Sequence, residues 1–114
     1  MKVGVQGTKE FSDYNVFMRA MGVALSPAVE GEFFVYSAGP AQINSFTSQF
    51  CNISESGLRR RGIKVRYTNV PPSYLEDNIL SLDYFAFLST PKQRPSRLVS
   101  LAELAGVEVG IFRY

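Results

Sequence analysis

Apolar residues along the chain form short runs of strand type, separated by stretches in which apolar residues recur at helical spacing. The first run, Lys2–Gln6, contains the β-branched residues Val3 and Val5 and ends at Gly7-Thr8. Runs bounded by Gly, Pro or polar residues in this way are typical of buried strands. Further strands of this kind are predicted over Phe33–Tyr36, Ile63–Tyr67, Tyr84–Leu88 and Val107–Phe112.

Two longer helices are predicted between the first three strands. Ser12 or Asp13 caps the first helix and Pro27 ends it, followed by a loop over Ala28–Glu32. The second helix begins near Ala41 and runs towards Arg61 with a break near Gly57, and Gly62 follows as its C′ residue. The residues predicted to face the core are Tyr14, Phe17, Met18, Met21 and Leu25 in the first helix and Ile43, Phe46, Phe50 and Ile53 in the second.

Two shorter helices are predicted in the second half of the chain. Pro71-Pro72 forces a turn, after which Ser73 caps a helix that extends through Leu80. Ser96 caps the last helix, which Gly106 ends. The residues of this last helix predicted to face inward are Leu98, Leu101, Ala102 and Ala105.

Strands that alternate with helices indicate βαβ units and therefore a parallel sheet. The sequence predicts one domain over residues 1–114, a three-layer Rossmann-like α/β sandwich with the strand order 3-2-1-4-5. The long connection after the third strand accounts for the crossing to the other side of the first strand. In this order a ligand is expected above the carboxyl ends of the first and fourth strands.

Small and polar residues follow three of the strands and supply the candidate ligand site. Gly7-Thr8 follows the first strand, a Ser-Ala-Gly-Pro turn the second, and Ser89–Ser96 the fourth. Each loop also has a purely structural interpretation, as a tight turn, a helix start or a solvated loop, and the prolines of the last one can order it as a lid. The predicted ligand-binding residues are Gly7, Thr8, Ser37, Ala38, Gly39, Asn44, Ser89, Thr90, Lys92 and Arg94.

Composition excludes several kinds of chemistry. The chain has no His and one Cys, so it cannot build a His-based triad, an internal disulfide or a Cys-rich zinc site, and no metal site is predicted. Cys51 is predicted to be a small core residue. A G-x-G-x-x-G turn and a Walker lysine are both missing, which disfavours dehydrogenase and P-loop activities, and no cofactor is predicted.

Charge and hydropathy bear on partners and location. The net charge of +2 does not favour nucleic acid, and the run Arg59-Arg60-Arg61 fits the end of a helix, where the helix dipole favours cations. No apolar run reaches the roughly 18–20 residues of a membrane span, and the N-terminus lacks the pattern of a signal peptide. We therefore expect a cytoplasmic protein without membrane contact, in the host cytoplasm if it is encoded by a phage.

The order of these pieces resembles the SLOG superfamily, which includes DprA and the Lonely Guy phosphoribohydrolases, in particular its small stand-alone bacterial and phage members. The segments that carry the resemblance are Lys2–Phe11, with its Gly-Thr-Lys-Glu-Phe turn, Val35–Phe46, Arg61–Val65 and Asp83–Leu88. The resemblance implies a nucleotide pocket above the strand ends and self-association into a homo-oligomer. Asn44 stands where these domains often have Asp, and Ser89–Ser96 replaces the Pro-Gly-Gly-x-Gly-Thr-x-x-Glu motif of the hydrolases.

The sequence favours a binding module without catalysis, a sensor or sequestering protein for a nucleotide or nucleotide-derived small molecule. One alternative is a nucleoside or phosphoribosyl hydrolase, for which Glu10 is the best-placed carboxylate. The other is a structural or interaction protein that has kept the fold and lost the ligand site.

Overall fold

A computed structural model describes residues 1–113 and shows helices on both faces of one sheet. The strands are β1 (Lys2–Gly7), β2 (Gly31–Ser37), β3 (Ile63–Asn69), β4 (Tyr84–Ser89) and β5 (Glu108–Arg113). The helices are α1 (Tyr14–Leu25), α2 (Ala41–Arg60), α3 (Pro72–Asp77) and α4 (Arg97–Leu104), with a 3₁₀ turn over Ile79–Ser81 between α3 and β4.

All strand pairs are parallel and the order is β3-β2-β1-β4-β5, which confirms the predicted α/β topology. The central strands are the most buried, as their composition predicts. Val3 and Val5 of β1 are fully buried, and every residue of β4 is buried. The strand order reverses between β1 and β4, so the loops that follow these two strands lead to opposite faces of the sheet.

Two hydrophobic clusters fill the space between the sheet and its helices. The larger cluster lies under α1 and α2, and the smaller one lies under α3 and α4. Asp13 caps α1 through a hydrogen bond from the Val16 amide to its Oδ1 at 3.0 Å, as predicted. Gly62 has φ +77, the left-handed conformation expected of the residue that ends α2.

The faces of α1 and α2 differ from the prediction at one residue each. Met18 and Ile53 are 46% and 67% exposed, although both were expected in the core. The buried stripes are built instead with smaller residues at the spacing of three and four, such as Ala20 and Ala24 in α1 and Thr47 and Cys51 in α2. The face that each helix turns towards the sheet is therefore determined by its small residues as well as by its large ones.

Further differences concern helix bounds and caps. The predicted break near Gly57 is wrong, because α2 continues without interruption to Arg60. Ser73 does not cap α3, since Pro71 takes the N-cap position and the helix ends at Asp77 rather than Leu80. Ser96 is the N-cap of α4, but its side chain makes no capping hydrogen bond.

The cations at the end of α2 agree with the structural interpretation of the Arg59-Arg60-Arg61 run. Arg59 and Arg60 lie in the last turn of the helix, where the helix dipole stabilises positive charge. The Arg59 guanidinium also pairs with Glu55 one turn earlier, and both side chains are exposed. Among the helices of the described residues, none is both long enough and apolar enough to cross a bilayer.

Candidate functional site

The predicted ligand loops meet at the carboxyl edge of the sheet, around the reversal between β1 and β4. Gly7 of β1 lies in register with Leu88 of β4, so Thr8 and Ser89 occupy the next positions on adjacent strands. Ser37 ends β2 on the other side of β1, where Val5 is its register partner. The sheet topology therefore brings three loops that are distant in sequence to one place.

Backbone hydrogen bonds connect these loops. Their donors are amides of residues that were predicted to bind the ligand. The Gly7 amide donates to the Gly39 carbonyl at 3.0 Å, and the Thr8 amide donates to the Leu88 carbonyl at 2.9 Å. The Ala38 amide donates to the Val5 carbonyl at 2.8 Å. Gly7, Thr8 and Ala38 lie at the expected edge, but their backbone amides are already hydrogen-bonded and are not available to a bound anion.

Gly7 has a structural reason to lack a side chain. A Cβ at this position would lie 2.6 Å from Cγ1 and Cδ1 of Ile43 and 3.1 Å from the Leu88 carbonyl oxygen. The glycine thus allows α2 to pack closely against the end of β1, and this close contact places the start of α2 beside the loop after β1.

The loop after β2 combines a buried hydrogen-bonded pair with a helix start. Ser37 is fully buried, and its Oγ donates to Oδ1 of Asn44 at 2.6 Å. The side-chain nitrogen Nδ2 of Asn44 remains as a further donor. Gly39 has φ +82, a conformation that favours glycine. Within residues 1–113, the amides of Ala41 and Gln42 in the first turn of α2 donate no hydrogen bond, so they are donors available to an anion.

Two hydroxyl groups at the strand reversal lack a hydrogen-bond partner among residues 1–113. Oγ1 of Thr8 and Oγ of Ser89 are both buried, and neither makes a hydrogen bond within the described residues. Ser89 is fully buried as a residue. Leaving such a group unpaired costs about 1–3 kcal/mol, so two of them on adjacent strands require an explanation.

The loop after β4 is held by Gln93, which is not among the predicted ligand-binding residues. Oε1 of Gln93 accepts from the Thr90 amide at 3.2 Å, and its Nε2 donates to the Glu10 carboxylate in the loop after β1. Ser96 adds a second link between the same regions, since its Oγ donates to Oε1 of Gln6 at 2.6 Å. Lys92 and Arg94 of this loop are exposed.

The missed residues left a weak signal in the sequence. Gln6 is a polar side chain at the end of an otherwise apolar strand, and Gln93 lies inside a loop that was selected for its cations. Glu10, the candidate catalytic carboxylate, is exposed and is bonded to the Gln93 amide. Its observed role is therefore to connect two loops.

Other chemically reactive groups lie away from this edge or are held neutral. Cys51 lies on the buried face of α2. Burial raises the pKa of its thiol to about 12, so the thiol is uncharged near neutral pH. Burial also raises the pKa of Tyr14, and the neighbouring Cys51 adds to this shift. Across residues 1–113, no three His, Cys, Asp or Glu side chains come together in a way that could hold a metal ion.

Three surface cavities lie at other parts of the sheet. One of about 490 Å³ runs along the start of β3, and one of about 540 Å³ lies beside β5. The third, of about 440 Å³, lies at the amino edge of the sheet and is lined in part by Glu30, Glu32 and Asp83. None of these three is lined by the loops that follow β1, β2 and β4.

Comparison with known proteins supports the fold and does not assign a family. No family model and no curated protein matches the chain. A similar solved structure is the shikimate dehydrogenase of Mycobacterium tuberculosis, with 13% sequence identity and a TM-score of 0.50. The match covers 96% of this chain and 44% of the dehydrogenase, so the chain spans less than half of that protein. The similarity shows a Rossmann-like α/β fold.

Proposed function

We propose that the chain binds a nucleotide or a nucleotide-derived small molecule, without catalysis, at the carboxyl edge of the sheet between β1 and β4. The observation that carries the proposal is the pair of buried hydroxyls of Thr8 and Ser89, which have no partner among the described residues. Open parallel α/β sheets bind ligands at the point where the strand order reverses, and these hydroxyls lie at that point.

The surrounding groups match the parts of a nucleotide. The hydroxyls of Thr8 and Ser89 and the side-chain amide of Asn44 are neutral, so they suit sugar hydroxyls and the polar edge of a base. The first-turn amides of α2 suit a phosphate, because the start of a long helix carries unpaired donors and a positive dipole end. The exposed cations Lys92 and Arg94 would add charge neutralisation.

Two observations support a binding role rather than hydrolysis. Glu10 is exposed and bonded to Gln93, whereas a general acid or base has to reach the scissile bond. The loop Ser89–Ser96 supplies hydroxyls and cations but contains no carboxylate. The SLOG resemblance points to the same class of ligand, and a sensor or a sequestering protein requires no more than these groups.

A thermal-shift screen with AMP, ADP, ATP and GTP, each at millimolar concentration, tests the proposal. We expect at least one nucleotide to raise the melting temperature by several degrees, since a ligand at 100 times its Kd stabilises the folded state by about 2.7 kcal/mol. Thr8→Val and Ser89→Ala should abolish the shift, and Ser45→Ala, on the exposed side of α2, should leave it unchanged.

Two results would overturn the proposal. The first is no shift with any nucleotide in the wild-type protein, and the second is a shift that survives in both hydroxyl variants. Release of free base from AMP, lost in Glu10→Gln, would replace the binding role with the hydrolase alternative.

A further inference from the structure

The loops after β1 and β4 are bonded into a closed ring, and this ring contains Thr8 and Ser89, whose hydroxyls have no partner among the described residues. On one side the ring runs from Thr8 to Glu10, and on the other it runs from Ser89 to Gln93. The Thr8 amide closes the ring at the sheet by donating to the Leu88 carbonyl, and the Gln93 amide closes it at the surface by donating to the Glu10 carboxylate. Thr8 and Ser89 lie where the ring meets the sheet, and Oγ1 of Thr8 and Oγ of Ser89 are both buried.

The Gln93 side chain bonds to both loops of the ring. Its Oε1 accepts from the Thr90 amide within its own loop, which fixes the side chain, and its Nε2 then reaches across to Glu10. The hydrogen bond to Glu10 is charge-assisted and therefore stronger than a bond between two neutral groups. Because Glu10 is exposed, this connection can break without exposing the hydrophobic core.

We infer that Gln93 is the latch of a lid, formed by Thr90–Pro95, which closes over the Thr8 and Ser89 hydroxyls and opens when the Gln93–Glu10 bond breaks. The inference rests on the proposed function for what enters, a nucleotide-type ligand, and it adds how that site is regulated. The hinge at the far end of the lid is Ser96, which stays attached to β1 through its bond to Gln6. Gln93 is a positioning residue, since it acts on the loop.

A thiol placed under the lid measures its opening without any ligand. Ser89→Cys puts a thiol at the base of the ring, and its labelling by Ellman's reagent at pH 8 requires the lid to open. The native Cys51 gives little background, because it is buried and its pKa is raised to about 12. We expect Gln93→Ala, added to Ser89→Cys, to raise the labelling rate about five- to tenfold, because the variant removes both the bond to Glu10 and the bond to the Thr90 amide.

Two further variants separate the latch from a general loosening of the fold. Glu10→Gln keeps an acceptor for Gln93 but removes its charge, so we expect a smaller rise of about two- to threefold. Gln49→Ala, on the exposed face of α2, is the matched control and should not change the labelling rate. An unchanged rate in Gln93→Ala, or an equal rise in the control, overturns the latch.

Hydrogen exchange gives a second measurement that does not depend on Ser89→Cys folding correctly. Glu10→Ala leaves the bond between the Thr90 amide and Gln93 chemically intact, so a local contact would not alter exchange at Thr90. If Gln93 is a latch, loss of Glu10 frees its side chain, and exchange at the Thr90 amide accelerates several-fold. Glu103→Ala, an exposed carboxylate on α4, is the control. Unchanged exchange at Thr90 in Glu10→Ala overturns the inference.

The outcomes distinguish the latch from the proposed function. Faster labelling together with no nucleotide-induced thermal shift supports the lid and refutes nucleotide binding. A nucleotide-induced shift together with unchanged labelling supports the binding site and refutes the latch.

Discussion

At the scale of single residues, two buried serines at the same edge of the sheet differ in what their hydroxyls meet. Ser37 ends β2 and Ser89 ends β4, the strands on either side of β1, and both residues are fully buried. The Ser37 hydroxyl donates to Asn44 at 2.6 Å, whereas the Ser89 hydroxyl has no partner within residues 1–113. A buried hydroxyl stabilises the fold in the first case and destabilises it in the second, because its desolvation is compensated only when it is bonded.

We therefore predict opposite stability changes for the same substitution at these two positions. Ser37→Ala should lower the free energy of unfolding by about 1–2 kcal/mol, because the half-buried Asn44 side chain then loses its partner. Ser89→Ala should raise it by about 1 kcal/mol in the absence of ligand, because an unpaired hydroxyl is removed. Urea denaturation monitored by circular dichroism measures both.

A loss of stability in Ser89→Ala would contradict this prediction, since it would mean that the hydroxyl is bonded in the native protein. The combination of a more stable fold with lost nucleotide binding would identify Ser89 as a residue kept for the ligand, in line with the usual conflict between stability and function.

At the scale of helices and strands, hydrophobic spacing predicted the type and order of every strand and α-helix, but not the separate 3₁₀ turn over Ile79–Ser81. The valines of β1 and the apolar run of β4 indicated central strands, and the alternation of strands with helices indicated parallel pairing. Spacing alone placed Met18 and Ile53 in the core, because it does not show that Ala20 or Cys51 lies closer to the sheet.

The location of the candidate site could be predicted from the sequence, but its hydrogen bonds could not. Parallel topology places the ends of β1, β2 and β4 at one edge, so the location of the loops followed from the strand order. The bonds of the Gly7 and Thr8 amides, and the bond between Gln93 and Glu10, join groups that are 32 to 83 residues apart. A pattern along the chain contains no information on such contacts.

Gly57 of α2 and Gly7 of β1 show that the effect of a glycine depends on what surrounds it in the fold. Gly57 was expected to break α2, yet the helix continues and a Cβ there would meet no atom within 4 Å. Gly57→Ala should raise the free energy of unfolding by about 0.5–1 kcal/mol, because alanine costs less backbone entropy in a helix. Gly7→Ala should lower it by about 1–3 kcal/mol, because its Cβ would overlap Ile43.

Thermal or urea denaturation of the two variants side by side checks both signs. Destabilisation by Gly57→Ala would mean that α2 bends at this position, as the sequence analysis expected. Partial recovery of Gly7→Ala by adding Ile43→Val would show that the overlap with this side chain is the cause.

At the scale of the whole molecule, the two edges of the sheet differ in chemistry. The Cα radius of gyration is 13.0 Å, close to the roughly 13 Å typical of a compact domain of this length. The β3 edge carries the exposed cations Lys64 and Arg66, which discourage pairing with another strand. At the β5 edge, Ile111 is 40% exposed and lines the cavity beside this strand, and Leu104 at the end of α4 is 87% exposed.

Self-association is a prediction from the SLOG resemblance, and we predict that it uses the β5 edge. We predict that the protein elutes above the 12.7 kDa mass of one chain in size-exclusion chromatography with light scattering, and that Ile111→Lys shifts it to 12.7 kDa. A lysine at this position adds a charge that a second copy would have to desolvate, and it introduces repulsion between two symmetry-related copies. Ile53→Lys changes an isoleucine that is more exposed than Ile111 (67% against 40%) and lies on α2, which packs near β3, and it should leave the mass unchanged. A wild-type mass of 12.7 kDa would contradict self-association altogether, and a shift in Ile53→Lys alone would move the interface from the β5 edge to α2.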